Sequence, residues 1–399
     1  MGQIIVQKKI PICKTFFDQS DFDHIIKPLQ SGWVVQGQYV AEFEQEFSRF
    51  TDAKFSTAVS SCSTGLHLAL AALGIGFGDE VIVPAFTWVA TANAAEHLGA
   101  KAVFCDIELS SYNIDPKKIE SKITDKTRAI IAVHLFGLPA PMDEIKNLCD
   151  KYSLYLVEDA ACGMGAHYNG QHVGHWGEIA CYSFHPRKAI TTGEGGMLTT
   201  NNAKLAKKMK SLRNHGASLS DYARHNAKEA FLLSEYKLLG YNYRMTDIQG
   251  ALGLAQMQKA DWIIKQRQEK AKIYDQLLKN VKAIRTPITP QSSVHGFQSY
   301  VCLFEPKEIT LGNLPQLNKE RNQLMVWLEG EGISTRQGTH AVSLLEYYQK
   351  KYGLSDEDFP NAYIADKLTI ALPLYPQITE EEQEYVVDKL KGGLEISHD

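Results

Sequence analysis

The chain has 399 residues, 44% hydrophobic and 22% charged, a composition that supports a large buried core without disulfides or structural metals. Its net charge of −4 and pI near 6.4 lack the basic excess of a general nucleic-acid or membrane-surface binder. The opening MGQIIVQKKIPIC carries no apolar run of signal-peptide length, and the chain holds no stretch of 18 apolar residues. Seven cysteines (Cys13, Cys62, Cys105, Cys149, Cys162, Cys181 and Cys302) are scattered without a CxxC pair. They predict free thiols in a cytoplasmic protein, with neither a membrane span nor a zinc or other metal site.

Short, near-continuous apolar runs at 55–59, 80–84, 102–106, 129–135, 154–158 and 197–200 predict strands buried on both faces. Helical spacing fills 64–73, 87–98 and 142–151 between them. This alternation implies an α/β fold with a mostly parallel sheet covered on both sides. Past about Gly250 the pattern changes. Residues 256–278 read as one long helix, with Met257, Ile263, Ile264, Tyr274 and Leu277 apolar. A Pro/Ser-rich stretch 286–294, a strand at 299–304 and helices near 317–330 and 379–390 follow. We expect a large α/β domain over 1–254, including an N-terminal arm, and a smaller C-terminal α+β domain over 255–399.

Three segments carry chemistry. In LYLVEDAACGMGA, 154–166, a buried strand ends at Asp159. Ligands of parallel sheets bind beyond the carboxyl ends of strands, although such an Asp is also an ordinary cap. In CYSFHPRKAITTGEGGMLTTN, 181–201, Lys188 lies in a loop ahead of a glycine cluster. Loss of solvation there would lower its pKa and free its amine for a carbonyl, whereas most lysines are simply solvated. In AVSSCSTGLHLALAAL, 58–73, Ser60 to Gly65 enter a helix whose N-terminus suits phosphate, or is merely a Ser/Thr cap. An acid for a pyridinium nitrogen, a lysine for a Schiff base and a phosphate cup are together what pyridoxal 5'-phosphate (PLP) requires.

Five blocks sharpen this: SGWVVQGQYVAEFE (31–44), GDEVIVPAFTWVATANA (78–94), VEDAACGMGA (157–166), SFHPRKAITTGEGGM (183–197) and GYNYRMTDIQGALG (240–253). Through them the chain resembles, nearly end to end, the DegT/DnrJ/EryC1/StrS sugar aminotransferases. These are fold-type I PLP enzymes, and HPRKAITTGEGG resembles the perosamine-synthase-like members that act on a 4-keto-6-deoxy sugar. The resemblance implies that Lys188 is the Schiff-base lysine and Asp159 the acid on the pyridine nitrogen. It implies that Trp88 stacks on the ring, that Ser61, Cys62, Ser63 and Ser183 hold the phosphate, and that Asn242 reaches the phosphate of a second subunit in a homodimer with shared active sites. Cys162 stands where relatives commonly carry Gln or His near the phenolic oxygen. Cysteine is a weak hydrogen-bond partner, and packing as a small hydrophobe is the alternative.

The implied reaction moves an amino group from L-glutamate to a nucleotide-linked keto-sugar, giving an amino sugar for polysaccharide or glycosylated products. Candidate substrate contacts are His185, Arg187, Glu194, His215, Tyr243, Arg244, Arg336 and His340. The polar loop 214–238, with Arg224 and His225, is a candidate cover for the site. Related dehydratases commonly replace the lysine, so retention of Lys188 favours transamination. A desulfurase-like enzyme would need a reactive cysteine on a mobile loop. A non-catalytic regulatory protein would be expected to carry a basic or DNA-binding module, which the chain lacks.

Overall fold

The computed structural model describes residues 9–225, 231 and 233–396. Its centre is a seven-stranded sheet. We number the strands β1 (Phe55–Val59), β2 (Glu80–Pro84), β3 (Lys101–Cys105), β4 (Thr127–Val133), β5 (Tyr155–Asp159), β6 (Ile179–Ser183) and β7 (Gly196–Thr200). Their order is β1-β7-β6-β5-β4-β2-β3, and only β7 runs against the others. β2 and β7 are buried along their whole length, as unbroken apolar runs require when helices cover both faces. The predicted strands fall within one or two residues of these, while β6 was hidden inside the lysine segment.

The register brings distant segments to one end of the sheet. Val59 of β1 pairs with Gly196 of β7, Gly196 with Ser183 of β6, and Cys181 of β6 with Asp159 of β5. The exits of β1, β5 and β6 therefore surround the entrance of β7, where a parallel sheet binds its ligands.

Helices α1 (Gln19–Ser31), α2 (Gln38–Thr51), α3 (Cys62–Leu73), α4 (Val89–Glu96), α5 (Met142–Tyr152), α6 (Ala203–Arg213) and α7 (Asp247–Met257) belong to this region. The block GYNYRMTDIQGALG works structurally here. Thr246 forms a capping box with Gln249, and Asp247 accepts the N–H groups of Gly37, Tyr39 and Val40 at the start of α2. A side chain at Gly250 would meet the Val40 nitrogen at 2.7 Å, so glycine permits the α2–α7 contact.

The expected single helix over 256–278 is two. α7 ends at Met257 and α8 (Ala260–Leu278) starts after a break. Tertiary contacts override the helical spacing at the break. Lys259, at φ −118° and ψ 7°, turns its ammonium to Asp18 and Asp21 at 2.6 and 2.8 Å, while the Gln256 amide donates to Asp21 and to the Phe16 carbonyl.

Beyond α8, strands β8 (Ile284–Arg285), β9 (Tyr300–Phe304) and β10 (Thr369–Leu372) form an antiparallel sheet. α9 (Leu314–Gly330), α10 (Pro360–Leu368) and α11 (Glu380–Ile396) pack with it. One apolar cluster runs unbroken from Val59 and Val81 of the large sheet to Tyr300 and Ile370 of the small one. Among the described residues no helix is long and apolar enough to cross a membrane.

Candidate active site

Asp159 and Glu158 end β5 side by side, both buried, in opposite electrostatic circumstances. Burial opposes charge on Glu158, but His134 Nε2 at 3.0 Å and the N–H groups of Gly174, Trp176 and Gly177 outweigh it and hold its pKa below the usual range. His134 Nδ1 accepts the Ala140 N–H, which fixes the proton on Nε2 facing the carboxylate. Asp159 has only the Thr91 hydroxyl at 2.8 Å and the Ala161 N–H at 3.2 Å. Burial raises its pKa and these contacts, with Lys188 and His134 further off, do not cancel the rise. A protonated ring nitrogen is the partner such a carboxyl lacks.

Lys188 sits in the β6–β7 loop, half-buried, with Nζ 3.1 Å from the Cys162 sulfur. The Cys162 thiol donates to Gln298 Oε1 at 3.1 Å, so it is a polar partner rather than packing alone. The lowered lysine pKa expected from the sequence is not found. Burial does pull it down, but Cys162, Cys62 and Asp159 together pull it further up. The groups that outweigh burial at this amine all come from other segments of the chain. All seven cysteines are free thiols. Burial pushes the Cys62 thiol well up, which makes it a poor nucleophile and leaves a desulfurase-like role unsupported there.

Ser61 caps α3 through Thr64, leaving the first-turn N–H groups of Cys62 and Ser63 without intrahelical acceptors. Gly196 makes room: a side chain there would meet the Ser61 carbonyl carbon at 2.6 Å and the Cys62 nitrogen at 2.7 Å. Ser183 closes β6 beside it. Trp88, at the N-cap of α4, is 60% exposed, so a face of its indole is free for a ring. These groups fit PLP: a cation-seeking acid, an amine, a helix N-terminus and an open aromatic face.

Of the candidate substrate contacts, His340 pairs with Thr87, and its ring lies 6.0 Å from that of Trp88. Arg187 and Arg336, both exposed, share a cavity of about 60 Å3 with Gln298. His185 is half-buried with its pKa lowered by burial, opposed by Glu194 and reinforced by Lys188 and Arg187. Glu194 is exposed, and its carbonyl accepts from Thr192 and Gln249. The others form a separate group. His215 is exposed in a left-handed conformation, Tyr243 stacks on Tyr241 and contacts His67, and Arg244 donates to Asn214. Asn242 is exposed there, bridged through its backbone to Asn214, and the Tyr243 carbonyl next to it accepts the Ser60 N–H.

Residues 226–230 and 232 of the loop 214–238 lie outside the described residues. The loop is less polar on its surface than its sequence suggests, with Leu219, Phe231, Leu233 and Tyr236 exposed. A cavity of about 920 Å3 lies between α2 and α6 and contains none of the chemistry-bearing groups described above; Glu44 there pairs with Lys210 and Arg213. Thr91, His134, Arg267 and Gln298 were not singled out from sequence. Thr91 alone carried a signal, standing one helical turn after Trp88 in the block 78–94.

A sheet with one reversed strand, a lysine in the loop entering that strand and a buried acid two strands away define a fold-type I PLP-dependent aminotransferase. The chain belongs to the DegT/DnrJ/EryC1/StrS aminotransferase family, whose profile matches residues 17–391. It is 36% identical to an uncharacterised protein of Methanocaldococcus jannaschii, over 97% of this chain and 98% of that one. It is 34% identical to the spore coat polysaccharide biosynthesis protein SpsC of Bacillus subtilis, again over 97% and 98%. The Streptococcus pneumoniae protein Spr1654 in its PLP-form superposes with a TM-score of 0.89 at 26% identity, covering 98% of this chain and 100% of that one.

Proposed function

We propose that this aminotransferase moves an amino group from L-glutamate to the ketone of a nucleotide-linked sugar, giving an amino sugar for polysaccharide or glycoconjugate synthesis in the cytoplasm. The observation that carries the reading is Lys188, retained with its amine beside Cys162 and facing the buried Asp159. Retention favours transamination over dehydration. Likeness to SpsC, a spore coat polysaccharide biosynthesis protein, supports the sugar.

When bound, PLP supplies an electron sink for negative charge at the donor's Cα. Lys188 Nζ then takes the Cα proton and returns it on the other side of the transfer, as general base and acid. Asp159, desolvated and held by Thr91, keeps the proton on the ring nitrogen. Trp88 would hold the ring by stacking, and the Cys62 and Ser63 N–H groups with Ser61 and Ser183 would hold the phosphate. Cys162, hydrogen-bonded to Lys188 and Gln298, would be the side chain nearest the cofactor's phenolic oxygen. His134 and Glu158 lock the end of β5, so Asp159 keeps its aim.

Asn242, exposed in one chain, completes the site of a second copy in a homodimer. The exposed stripe Phe22, Ile26 and Leu29 on α1 and the apolar tips of the 214–238 loop support such an interface. The division into a PLP-binding domain over 1–254 and a small domain over 255–399 is part of the same reading.

The test loads the enzyme with glutamate until the visible band of the lysine-bound cofactor disappears. UDP-, GDP- and dTDP-linked keto-sugars are then added, 4-keto-6-deoxy sugars among them. Recovery of the band with one of them names the acceptor. Recovery with simple 2-oxo acids and with no keto-sugar would overturn the proposal.

A further inference from the structure

The seven thiols divide by reach. Cys62, Cys105, Cys149, Cys181 and Cys302 are buried, and burial pushes each of these thiols up, away from the reactive thiolate. Cys13 and Cys162 are only half-buried. The Cys13 sulfur faces the Arg267 guanidinium at 3.7 Å, a group that stays charged and offers no lone pair. The Cys162 sulfur faces the Lys188 amine at 3.1 Å, a group that becomes a nucleophile when it loses its proton.

Two side chains hold this pair together. Gln298 Oε1 accepts the Cys162 thiol at 3.1 Å, and Gln298 Nε2 donates to the Arg187 carbonyl at 3.0 Å, which ties the cysteine to the segment that carries the lysine. Buried Arg267 clamps the same parts from behind, donating to the carbonyls of Gln298 at 3.0 Å and Lys188 at 3.4 Å. The flexible lysine stem can close the remaining gap to sulfur without moving the backbone. Cys162, Lys188 and Gln298 also line one cavity of about 10 Å3, room for about one water molecule. That space takes a small leaving group and excludes a bulky external thiol. Among the residues lining it Cys162 is the one cysteine, so the partner at hand for an oxidised Cys162 is the amine.

We infer that Cys162 and Lys188 form a reversible oxidative cross-link, a direct sulfur–nitrogen bond that blocks the amine whenever it is free of cofactor. The oxidant is hydrogen peroxide. The Cys162 sulfur attacks one peroxide oxygen, the O–O bond breaks, and hydroxide leaves as water with the thiol proton, giving a sulfenic acid. Lys188 Nζ, unprotonated, attacks that sulfur. The S–O bond breaks, the N–S bond forms, and the hydroxyl leaves as water with a proton from nitrogen. Sulfur has then lost two electrons to the peroxide, and two thiols of a reductant return them and restore both side chains. The cross-link also shields the sulfur from further, irreversible oxidation to sulfinic acid.

The full-length chain, with and without bound cofactor, is treated with hydrogen peroxide, digested without reductant and mapped by mass spectrometry. The cofactor-free chain should yield the Cys162 and Lys188 peptides joined with the loss of two hydrogens, and dithiothreitol should separate them. With the cofactor linked to Lys188, the joined pair should fall at least severalfold. Cofactor uptake, read from the visible band, should be lost as the pair forms and regained with dithiothreitol. Cys13→Ala should cross-link like the parent. Cys162→Ala should show the same cofactor band after peroxide as it shows before; if that variant does not fold, the peptide map of the parent decides alone. Cys162 recovered as sulfinic or sulfonic acid beside unmodified Lys188, a disulfide from Cys162 to Cys62, a joined pair that retains an oxygen, or equal cross-linking with the cofactor in place each overturns the inference. It rests on neither the donor nor the acceptor, so a failed keto-sugar panel leaves it standing.

Discussion

Glu158→Gln isolates what the strand end beneath the cofactor site depends on. Each Glu158 oxygen takes two hydrogen bonds: Oε1 from the Trp176 and Gly177 N–H groups, Oε2 from the Gly174 N–H and His134 Nε2. Whichever oxygen becomes an amide nitrogen, two donors then face a donor. His134 cannot answer by changing tautomer, because its Nδ1 already accepts from Ala140. Two charge-assisted bonds at about 1.5–3 kcal/mol each give a loss of about 3–6 kcal/mol. With an unfolding entropy of roughly 2.1 cal/mol/K per residue, the melting temperature should fall by roughly 4–7 °C. The pH dependence has a definite sign. Because the native pKa is lowered, the carboxylate's contribution is complete above the unfolded value and is lost as pH falls through the native one. The gap between parent and variant should therefore narrow in acid. Calorimetric melts of the cofactor-free chain at neutral and acid pH provide the assay. A variant melting within about 1 °C of the parent at neutral pH, or a gap that widens in acid, would refute the reasoning.

Lys188→Ala should abolish steady-state turnover, a loss of at least about a thousandfold; an active variant sinks the proton-transfer role. Asp159→Asn should act oppositely on function and stability. Its native carboxyl has a raised pKa, so the ionised form costs stability at neutral pH, and that cost is absent below the unfolded pKa. The cofactor-free variant should melt no lower than the parent at neutral pH while losing turnover. Trp88→Ala should weaken cofactor retention by roughly three- to tenfold, measured by equilibrium dialysis. Co-expressed Lys188→Ala and Asn242→Ala chains should show more activity than either variant alone if the sites are shared between subunits.

Unbroken apolar runs made the large sheet legible, and the buried run that ends at Asp159 put that acid at its carboxyl end. The break at Gln258 was not legible, because helical periodicity continues through it and the cause is Lys259 reaching Asp18 and Asp21, some 240 residues away. The direction of the Lys188 pKa was misread for the same physical reason. Its sequence neighbours indicate burial, whereas the groups that outweigh burial come from positions 62, 159 and 162. Arg267 reads as one more charge on a long helix. Only the packed structure shows it buried among carbonyls behind Lys188.

The pairing of β1 with β7 has a consequence for how the chain is made. β1 and the cap of α3 leave the ribosome early, yet Val59 finds its ladder partner Gly196 only after some 137 further residues. Closing that span demands entropy that local contacts cannot return, so this corner should be the last part of the sheet to settle. Until then β1 is a loose apolar segment beside unfinished neighbours, the kind of species that associates wrongly. A cofactor gripping the α3 cap and the β6–β7 loop together would tie the first strand to the last and draw the population toward the finished fold by mass action. On this view, vitamin supply during expression governs the yield of native protein as well as the activity of what is recovered.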